Sequence, residues 1–564
     1  MKITKQLQTD VLIIGAGGAG LRAALAAAEA GSKVIITNKG PLAKSGITLT
    51  AAGGMQAPLH PQDSPERYFE DTVQFGYGLA DQNLVHCLTG QACAQVAEAE
   101  RFGAQFTRDE TGNLALSQFP GQSLARNLFF KGGGVGLVAA LARACRENEN
   151  ISILEDFFVT GLINSCSGNA AISGAIGLNL KNGQLTAIAA KAIIVATGGC
   201  QRLWEINDCP TDATGDGILY AFRAGAKLVD MEMVLFYPSV IVWPPSLKGA
   251  FVHYEFLDQA ILDGNVYDKD GQAILPKPLP VRDEAMRIMA KAIIDGRGTE
   301  HGGLLWYVGS SPKGLEAVRK KLDIAQYNYI RKHGVDPATE KIEVAPGAHY
   351  LLGGIHIDEE CRTNLPGLFA APECAGNFDG ANRLAGSGIT AIQVFGAIAG
   401  LAAHHWAESN DHCEADPLCL AKEISRVADR LTDCSDLEPA VPRLRDQLCA
   451  AVQNFAGVIR SESGLKQLQQ SINDIRFELL SVKVPKTTLF NQQLTDLLQL
   501  EIMCETAQII AASALFREES RGHHFRSDFP QQNDGKWLLH TQAGKSENGL
   551  TISTKDIVMR QKCR

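Results

Sequence analysis

The chain has 564 residues, 45% of them hydrophobic and 20% charged, and a formal net charge of −9. That length exceeds one compact core and predicts about two to four domains, while the negative balance excludes a nucleic-acid backbone as main partner, which would need clustered Lys and Arg. The fourteen cysteines form no C-x-x-C pair, which excludes the common zinc, thioredoxin-like, c-type haem and iron–sulfur patterns and fits a reducing, cytoplasmic setting.

Met1 to Asp10 is polar and lacks a signal-peptide layout. Val11-Leu-Ile-Ile14 then reads as a fully buried parallel strand. It enters Gly15-Ala-Gly17-Gly-Ala-Gly20 and an Ala-rich helical stretch to Ala30, followed by a second strand, Ser32 to Thr37. Strand, glycine turn, helix and strand in about 30 residues is the context of a dinucleotide fingerprint. The glycines admit a pyrophosphate to the helix N-terminus. Asn38 stands where a ribose-binding carboxylate would favour NAD. Two later apolar runs, Ala192 to Gly199 and Gly367 to Glu373, return to the same sheet, as a long ligand such as FAD requires. No stretch offers about 18 uninterrupted apolar residues, since Arg22 and the His404–His405 pair break the best ones, so no direct membrane span is expected.

Between these runs, residues 231–348 are richer in Pro, Tyr and charge and read as an inserted cap on an FAD-binding domain of residues 1–230 and 349–407. Helical spacing over Leu418 to Leu431, Val441 to Val458, Gly464 to Leu480 and Leu494 to Phe516 predicts a helical C-terminal domain, residues 408–545, followed by a tail, 546–564.

A further set of segments gives the chain a resemblance to a known family. These are Thr214-Gly-Asp-Gly217, Asp230-Met-Glu-Met233, Arg282-Asp283, Gly296-Arg-Gly298, His349-Tyr-Leu-Leu-Gly-Gly354, Gly380-Ala-Asn-Arg383-Leu384, Glu519-Ser-Arg-Gly522 and Arg526 to Pro530. In this order they resemble the flavoprotein subunit of the succinate dehydrogenase/fumarate reductase family, which includes L-aspartate oxidase. The resemblance implies an α/β fold: a Rossmann-like FAD-binding domain, an inserted α+β capping domain and a C-terminal helical domain. It implies hydride transfer between flavin N5 and one carbon beside a carboxylate, with a proton moving at the neighbouring carbon.

By the same resemblance, Arg383 and His349 grip the substrate carboxylate, Arg282 transfers the proton and Glu255 relays it. A planar guanidinium suits a carboxylate. The cofactor cradle is expected from Gly15, Gly17, Gly18, Ala19, Gly20, Asn38, Lys39, Ser45, Gly53, Gly54, Ala196, Thr197, Gly198, Asp216, Glu373, Arg383, Ser387 and Gly388. Arg521, His523 and His524 are expected to be structural contacts between the helical region and the core. An iron–sulfur or other electron-transfer subunit is implied as partner, and it would provide any membrane association.

Three departures bear on the substrate. Covalent members carry a histidine before Ala-Ala-x-Gly-Gly; Ser45 to Gly54 has none, which implies non-covalent FAD. The family's Phe-His-Pro-Thr is Phe236-Tyr237-Pro238-Ser239 here. Its Thr-Glu-x-x-Arg aligns with Tyr254-Glu255-Phe256-Leu257-Asp258. Tyr237, Tyr254 and Asp258 are therefore expected at the far end of the substrate pocket, where a phenol and a carboxylate are poor ligands for a second anion. The expected substrate is an unsaturated monocarboxylate with a polar, aromatic or cationic far end rather than fumarate. Two alternatives stand beside it: an oxidase like L-aspartate oxidase, in which Asp258 would suit an amino group, and an FAD-loaded electron conduit without its own substrate.

Overall fold

The computed structural model describes residues 2–166, 171–433, 440–487, 489–547 and 549–560. The apolar runs found in the sequence meet in one seven-stranded sheet. Strand β1 (Ile3–Ile14) lies between β2 (Val34–Thr37) and β3 (Gln184–Val195), parallel to both, with Ile14 level with Thr37 and Val195. Ile151–Leu154 pairs outside β2, and Leu368–Ala370 pairs with β3, both parallel. Two antiparallel strands, Phe157–Asn164 and Ile172–Asn179, complete the other edge. The parallel strands β1, β2 and Leu368–Ala370 are buried at every position near their C-terminal ends, as strands covered on both faces must be.

Helix α1 (Gly18–Glu29) follows the glycine turn. Its alanines let it pack on α2 (Ser387–Ser409), a long apolar helix. Among the described residues α2 is the helix long and apolar enough to cross a membrane, but 83% of its most apolar window is buried in this core. Its length and composition therefore belong to an interior helix.

The insertion builds a separate, antiparallel four-stranded sheet in the order Val234–Trp243, Ile342–Leu351, Leu304–Tyr307, Asn265–Tyr267. It has its own hydrophobic core around Val240, Leu257, Trp306 and Tyr327. Its first and last long strands carry Tyr237 and His349 back to the edge of the nucleotide sheet.

Past α2 lie helices Pro417–Ala428, Ala440–Phe455, Glu462–Leu479 and Gln492–Phe516. Three of them begin ahead of the apolar pattern because Asp416, Ser461 and Asn491 cap them with side-chain oxygens. Their buried faces join the same hydrophobic core as the main sheet. The segment expected to end as a tail instead contains a strand, Gly549–Lys555, paired along its length with His540–Ser546. The latter extends a small sheet through Leu228–Val229. The alternation Leu550, Ile552 against exposed neighbours is that of an edge strand, too short and too polar to stand out as one in the sequence.

His540 anchors this hairpin. Its Nδ1 meets Asp230 at 2.5 Å and its Nε2 meets Asp81 at 3.2 Å, all three side chains being buried. Burial opposes the imidazolium, but the two carboxylates outweigh it and raise the pKa to about 9. Asp81 is held down at about 2: burial opposes its charge and His540 more than offsets that.

Candidate active site

The C-terminal ends of β1, β2 and β3 open onto a cleft with about 1830 Å³ of empty space, its mouth included, running from the glycine turn to the inserted sheet. This is where an open parallel sheet leaves a crevice for ligand. At the nucleotide end the wall is largely backbone. A Cβ on Gly20 would sit 1.9 Å from the Gly15 carbonyl oxygen, so glycine is required for the helix to start against the strand. A Cβ on Gly17 would meet nothing within 4 Å although Gly17 lines the cleft, which leaves the approach to the α1 N-terminus open. No acidic side chain occupies the first turn of α1, so its positive end faces the cleft uncompensated. Thr197 Oγ1 and both side-chain amide atoms of Asn127 are buried without partners along the same wall. These unsatisfied groups and the open glycine fit an extended dinucleotide.

Further along, Lys39 Nζ donates to Asp216 Oδ2 at 2.6 Å, and Thr214 Oγ1 donates to the other Asp216 oxygen at 2.6 Å. The Asn38 amide donates to the Gly40 and Pro41 carbonyls. Ser45 bonds to Asp212. The wall from Ser45 to Gly54 presents no histidine to the cleft. Glu373 Oε1 accepts from Gln201 Nε2 at 2.5 Å, and burial raises its carboxyl to about 7.

At the other end four distant segments converge. Arg282, the first residue of α3 (Arg282–Ala292, preceding α2 in the chain), donates to Glu255, and its guanidinium carbon lies 5.2 Å from the Tyr237 ring centroid. Tyr237 donates to the second Glu255 oxygen at 3.1 Å. Glu255 and Tyr237 are buried, and the Arg282 side chain is 11% exposed. Burial works against charge on Glu255, but Arg282 outweighs it and holds the carboxyl below its usual range. Burial likewise opposes the guanidinium, and Glu255 raises it. For Tyr237 burial and the adjacent Glu255 both push the phenol well up. The pair is thus a charged carboxylate and guanidinium beside a neutral phenol.

His349 Nδ1 meets Asp208 Oδ2 at 2.7 Å, which leaves its Nε2 for the cleft. The Arg383 guanidinium carbon lies 4.0 Å over the Tyr350 ring, and its Nε has no hydrogen-bond partner. Gly388 lies beside it: a Cβ there would be 2.1 Å from Arg383 Nη1 and would displace the guanidinium. The loop is set from behind. Asn382 Oδ1 accepts the Arg383 backbone N–H and meets His523 Nε2, both at 2.9 Å. His523 is buried and held neutral, its pKa lowered to about 3 by desolvation. Its Nδ1 therefore accepts from the Phe236 N–H, and Nε2 carries the proton to Asn382. Arg521 donates to Glu519 and to the Tyr77 carbonyl, and His524 meets Arg460, so this C-terminal motif braces the core.

The structure thus brings Arg282, Glu255, Tyr237, His349 and Arg383 to one end of the cleft. Tyr254 and Asp258 are not on its wall. Tyr254–Leu257 is a single 3₁₀ turn, in which adjacent side chains diverge by about 120°. Glu255 faces the cleft, and the Tyr254 hydroxyl donates to the Pro280 carbonyl at 2.7 Å. Asp258 lies just past the turn, where its Oδ1 accepts from the Ala260 N–H at 2.7 Å. Gly20 and Ser387 also lie off the wall: Gly20 serves helix–strand packing, and Ser387 Oγ is buried behind it. The wall instead includes Phe119, Phe251, His253, Asp208 and Cys209, none of which sequence reasoning selected. Only the two-residue spacing of Phe251, His253 and Glu255, which places them on one side of an extended segment, could have signalled part of this set.

Comparison with known proteins agrees with this architecture. The FAD binding domain model matches residues 10–389, and the fumarate reductase flavoprotein C-terminal model matches residues 445–563. A fumarate reductase (CoM/CoB) subunit from Methanothermobacter marburgensis is 36% identical over 534 residues, 93% of this chain and 95% of its own length. L-aspartate oxidase of Streptomyces coelicolor is 29% identical over 98% of this chain and 94% of its own. The structure of Escherichia coli quinol fumarate reductase FrdA superposes with a TM-score of 0.90 at 27% identity, covering 99% of this chain and 98% of that one. The chain belongs to the fumarate reductase/succinate dehydrogenase flavoprotein family; it is a flavin-dependent oxidoreductase, and its cofactor is FAD.

Proposed function

For this member of the family, we propose interconversion of a C–C single and double bond next to a carboxylate, in the manner of an enoate reductase, with a substrate other than fumarate or succinate. The observation that carries the reading is the convergence of Arg282, Glu255, His349 and Arg383 at the end of the cleft opposite the glycine turn. The glycine-lined wall would hold FAD without a covalent link, and the bound cofactor would supply the hydride. Gly15, Gly17, Gly18 and Ala19 would hold its pyrophosphate, and Asn38, Lys39, Asp216, Thr197, Gly198 and Glu373 would flank its length.

The protein's own groups then divide the remaining work. Arg383, unpaired at Nε and supported on Tyr350, grips the carboxylate with His349 Nε2. As the double bond is reduced, negative charge grows toward that carboxylate, and these two donors stabilise it. Arg282 delivers the proton to the carbon next to the one that receives the hydride. A guanidinium is a weak acid, so Glu255 beside it must return the proton from outside. The closed, buried pair limits loss of that proton to bulk water.

Electrons come from elsewhere, because the sequence has no haem or iron–sulfur motif. An iron–sulfur or other electron-transfer protein is the proposed source; the 36% identical relative is itself named as one subunit of its reductase. The oxidase alternative loses support, because Asp258, the residue suited to an amino group, is off the cleft wall. A conduit without substrate has no use for the Arg282–Glu255 pair. The test is anaerobic mixing of reduced, FAD-loaded protein with short 2-enoates. Flavin reoxidation that disappears in Arg282→Ala is the expected result. Absence of reoxidation by any 2-enoate would overturn the reading.

A further inference from the structure

His253 is the one histidine at the substrate end of the cleft whose role the reaction above does not use. Its ring packs against Phe256, 4.9 Å away, and Tyr327, 5.8 Å away, and those two rings also lie 5.8 Å from each other. The Tyr327 hydroxyl is shared between two atoms of the same residue. It accepts the His253 backbone N–H at 3.0 Å and lies 3.3 Å from His253 Nδ1. Since the backbone group can only donate, the hydroxyl hydrogen is free to donate to Nδ1. With that donation the proton of a neutral imidazole sits on Nε2. His253 lines the cleft, and burial lowers its pKa and holds the ring neutral, so in that tautomer it would offer the cleft an uncharged N–H donor.

The other polar groups at this end are engaged. Arg282 is neutralised by Glu255, and His349 is held at Nδ1 by Asp208 and gives its Nε2 to the first carboxylate. The Tyr237 hydroxyl donates to Glu255 and accepts from the Tyr254 N–H. Lys321 reaches Phe256 at 5.8 Å but is not part of the cleft wall. Arg383 remains as the guanidinium with an unpartnered nitrogen, a match for one carboxylate. Among the described residues, the far end therefore offers a neutral donor beside aromatic rings and no open cation. A second carboxylate there would be desolvated without a counter-charge, whereas a carbonyl oxygen needs one donor.

We propose that His253 is the specificity-determining donor of this site, and that the substrate is a 2-enoate whose distal group is an uncharged carbonyl, an amide or ester, rather than a second carboxylate. Tyr327 is then a positioning residue that fixes the donating tautomer. The inference rests on the enoate-reductase reading. In the reaction the C=C bond accepts a hydride at one carbon and a proton at its neighbour, and two equivalents of a reduced viologen dye supply the two electrons.

The test uses the full FAD-loaded chain with reduced viologen and four enoates: fumaramate, monomethyl fumarate, fumarate and crotonate. Expected is a kcat/KM for fumaramate at least about tenfold above fumarate. His253→Phe should lower the fumaramate value by about tenfold to a hundredfold, at least about fivefold more than it lowers crotonate, which has no distal acceptor. Tyr327→Phe should give a smaller loss of the same selectivity. Preference for fumarate over fumaramate overturns the proposal, as does an equal loss for crotonate, which would mark His253 as merely structural. A parallel measurement does not depend on turnover: binding of succinamate, succinate and butyrate to the oxidised protein, read from the flavin spectrum. His253→Phe should weaken succinamate selectively; no selective change overturns the proposal. If no enoate is reduced but succinamate binds through His253, the catalytic reading has failed and the donor assignment stands.

Discussion

The two ends of the cleft are built differently. The nucleotide end is shaped by backbone: a turn whose glycines either cannot carry a Cβ, as at Gly20, or leave the approach open, as at Gly17. The substrate end is made of side chains from positions 237, 253, 255, 282, 349 and 383, which meet because an inserted sheet returns its first and last long strands to the same edge. A backbone site tolerates change around it so long as φ and ψ survive. A side-chain site depends on rotamers that individual hydrogen bonds set, and it can change ligand without change of fold.

If the ends are separable, damage to one should leave the other intact. The largest effect is expected from Arg282→Gln: turnover falls by about 10³–10⁴ while FAD content, measured by absorbance, stays at the wild-type level. Loss of FAD in that variant would break the comparison.

A control lies outside both ends. His540 binds its proton more tightly in the folded state, at about 9, than an unfolded histidine near 6.5. The folded state therefore holds the extra proton between those values, so its stabilisation is complete below about pH 6.5 and is lost as pH rises through about 9. The full amount is on the order of 3 kcal/mol. The thermal midpoint of the wild type should fall across this window, and that of His540→Gln should be lower at pH 6 and nearly flat. A wild-type midpoint that rises with pH here would refute the clamp.

The glycines sharpen the contrast. Gly17→Ala places a methyl in open cleft, so the chain should fold with an unchanged thermal midpoint and bind FAD about tenfold more weakly, about 1.4 kcal/mol; equal loss of midpoint and affinity would contradict the open-wall geometry. The smallest effect is expected for Asn382→Ala. It removes the acceptor that sets the Arg383 loop, and kcat/KM should drop by about threefold to tenfold with KM carrying most of it.

Sequence reading reached the backbone end in detail because its determinants are contiguous: a strand, a glycine turn and a helix lie within about 30 residues. It named Arg282, His349, Arg383, Glu255 and Tyr237 through ordered motifs, and the structure places all five on one wall. It placed Tyr254 and Asp258 there as well, and it passed over Phe251 and His253. For Tyr254 the reason is local: one 3₁₀ turn separates its side chain from that of Glu255 by about a third of a rotation, which residue identity does not reveal.

The sequence by itself determined the nucleotide fold, FAD as cofactor and the family, because these follow from near-neighbour backbone requirements and motif order. Only the tertiary structure decided which residues face the substrate. It packed residues far apart in the chain against one another, as in the contact of His349 with Asp208, 141 residues away. Side-chain direction at such meetings is set by the partner across the gap, and no stretch of local sequence encodes it.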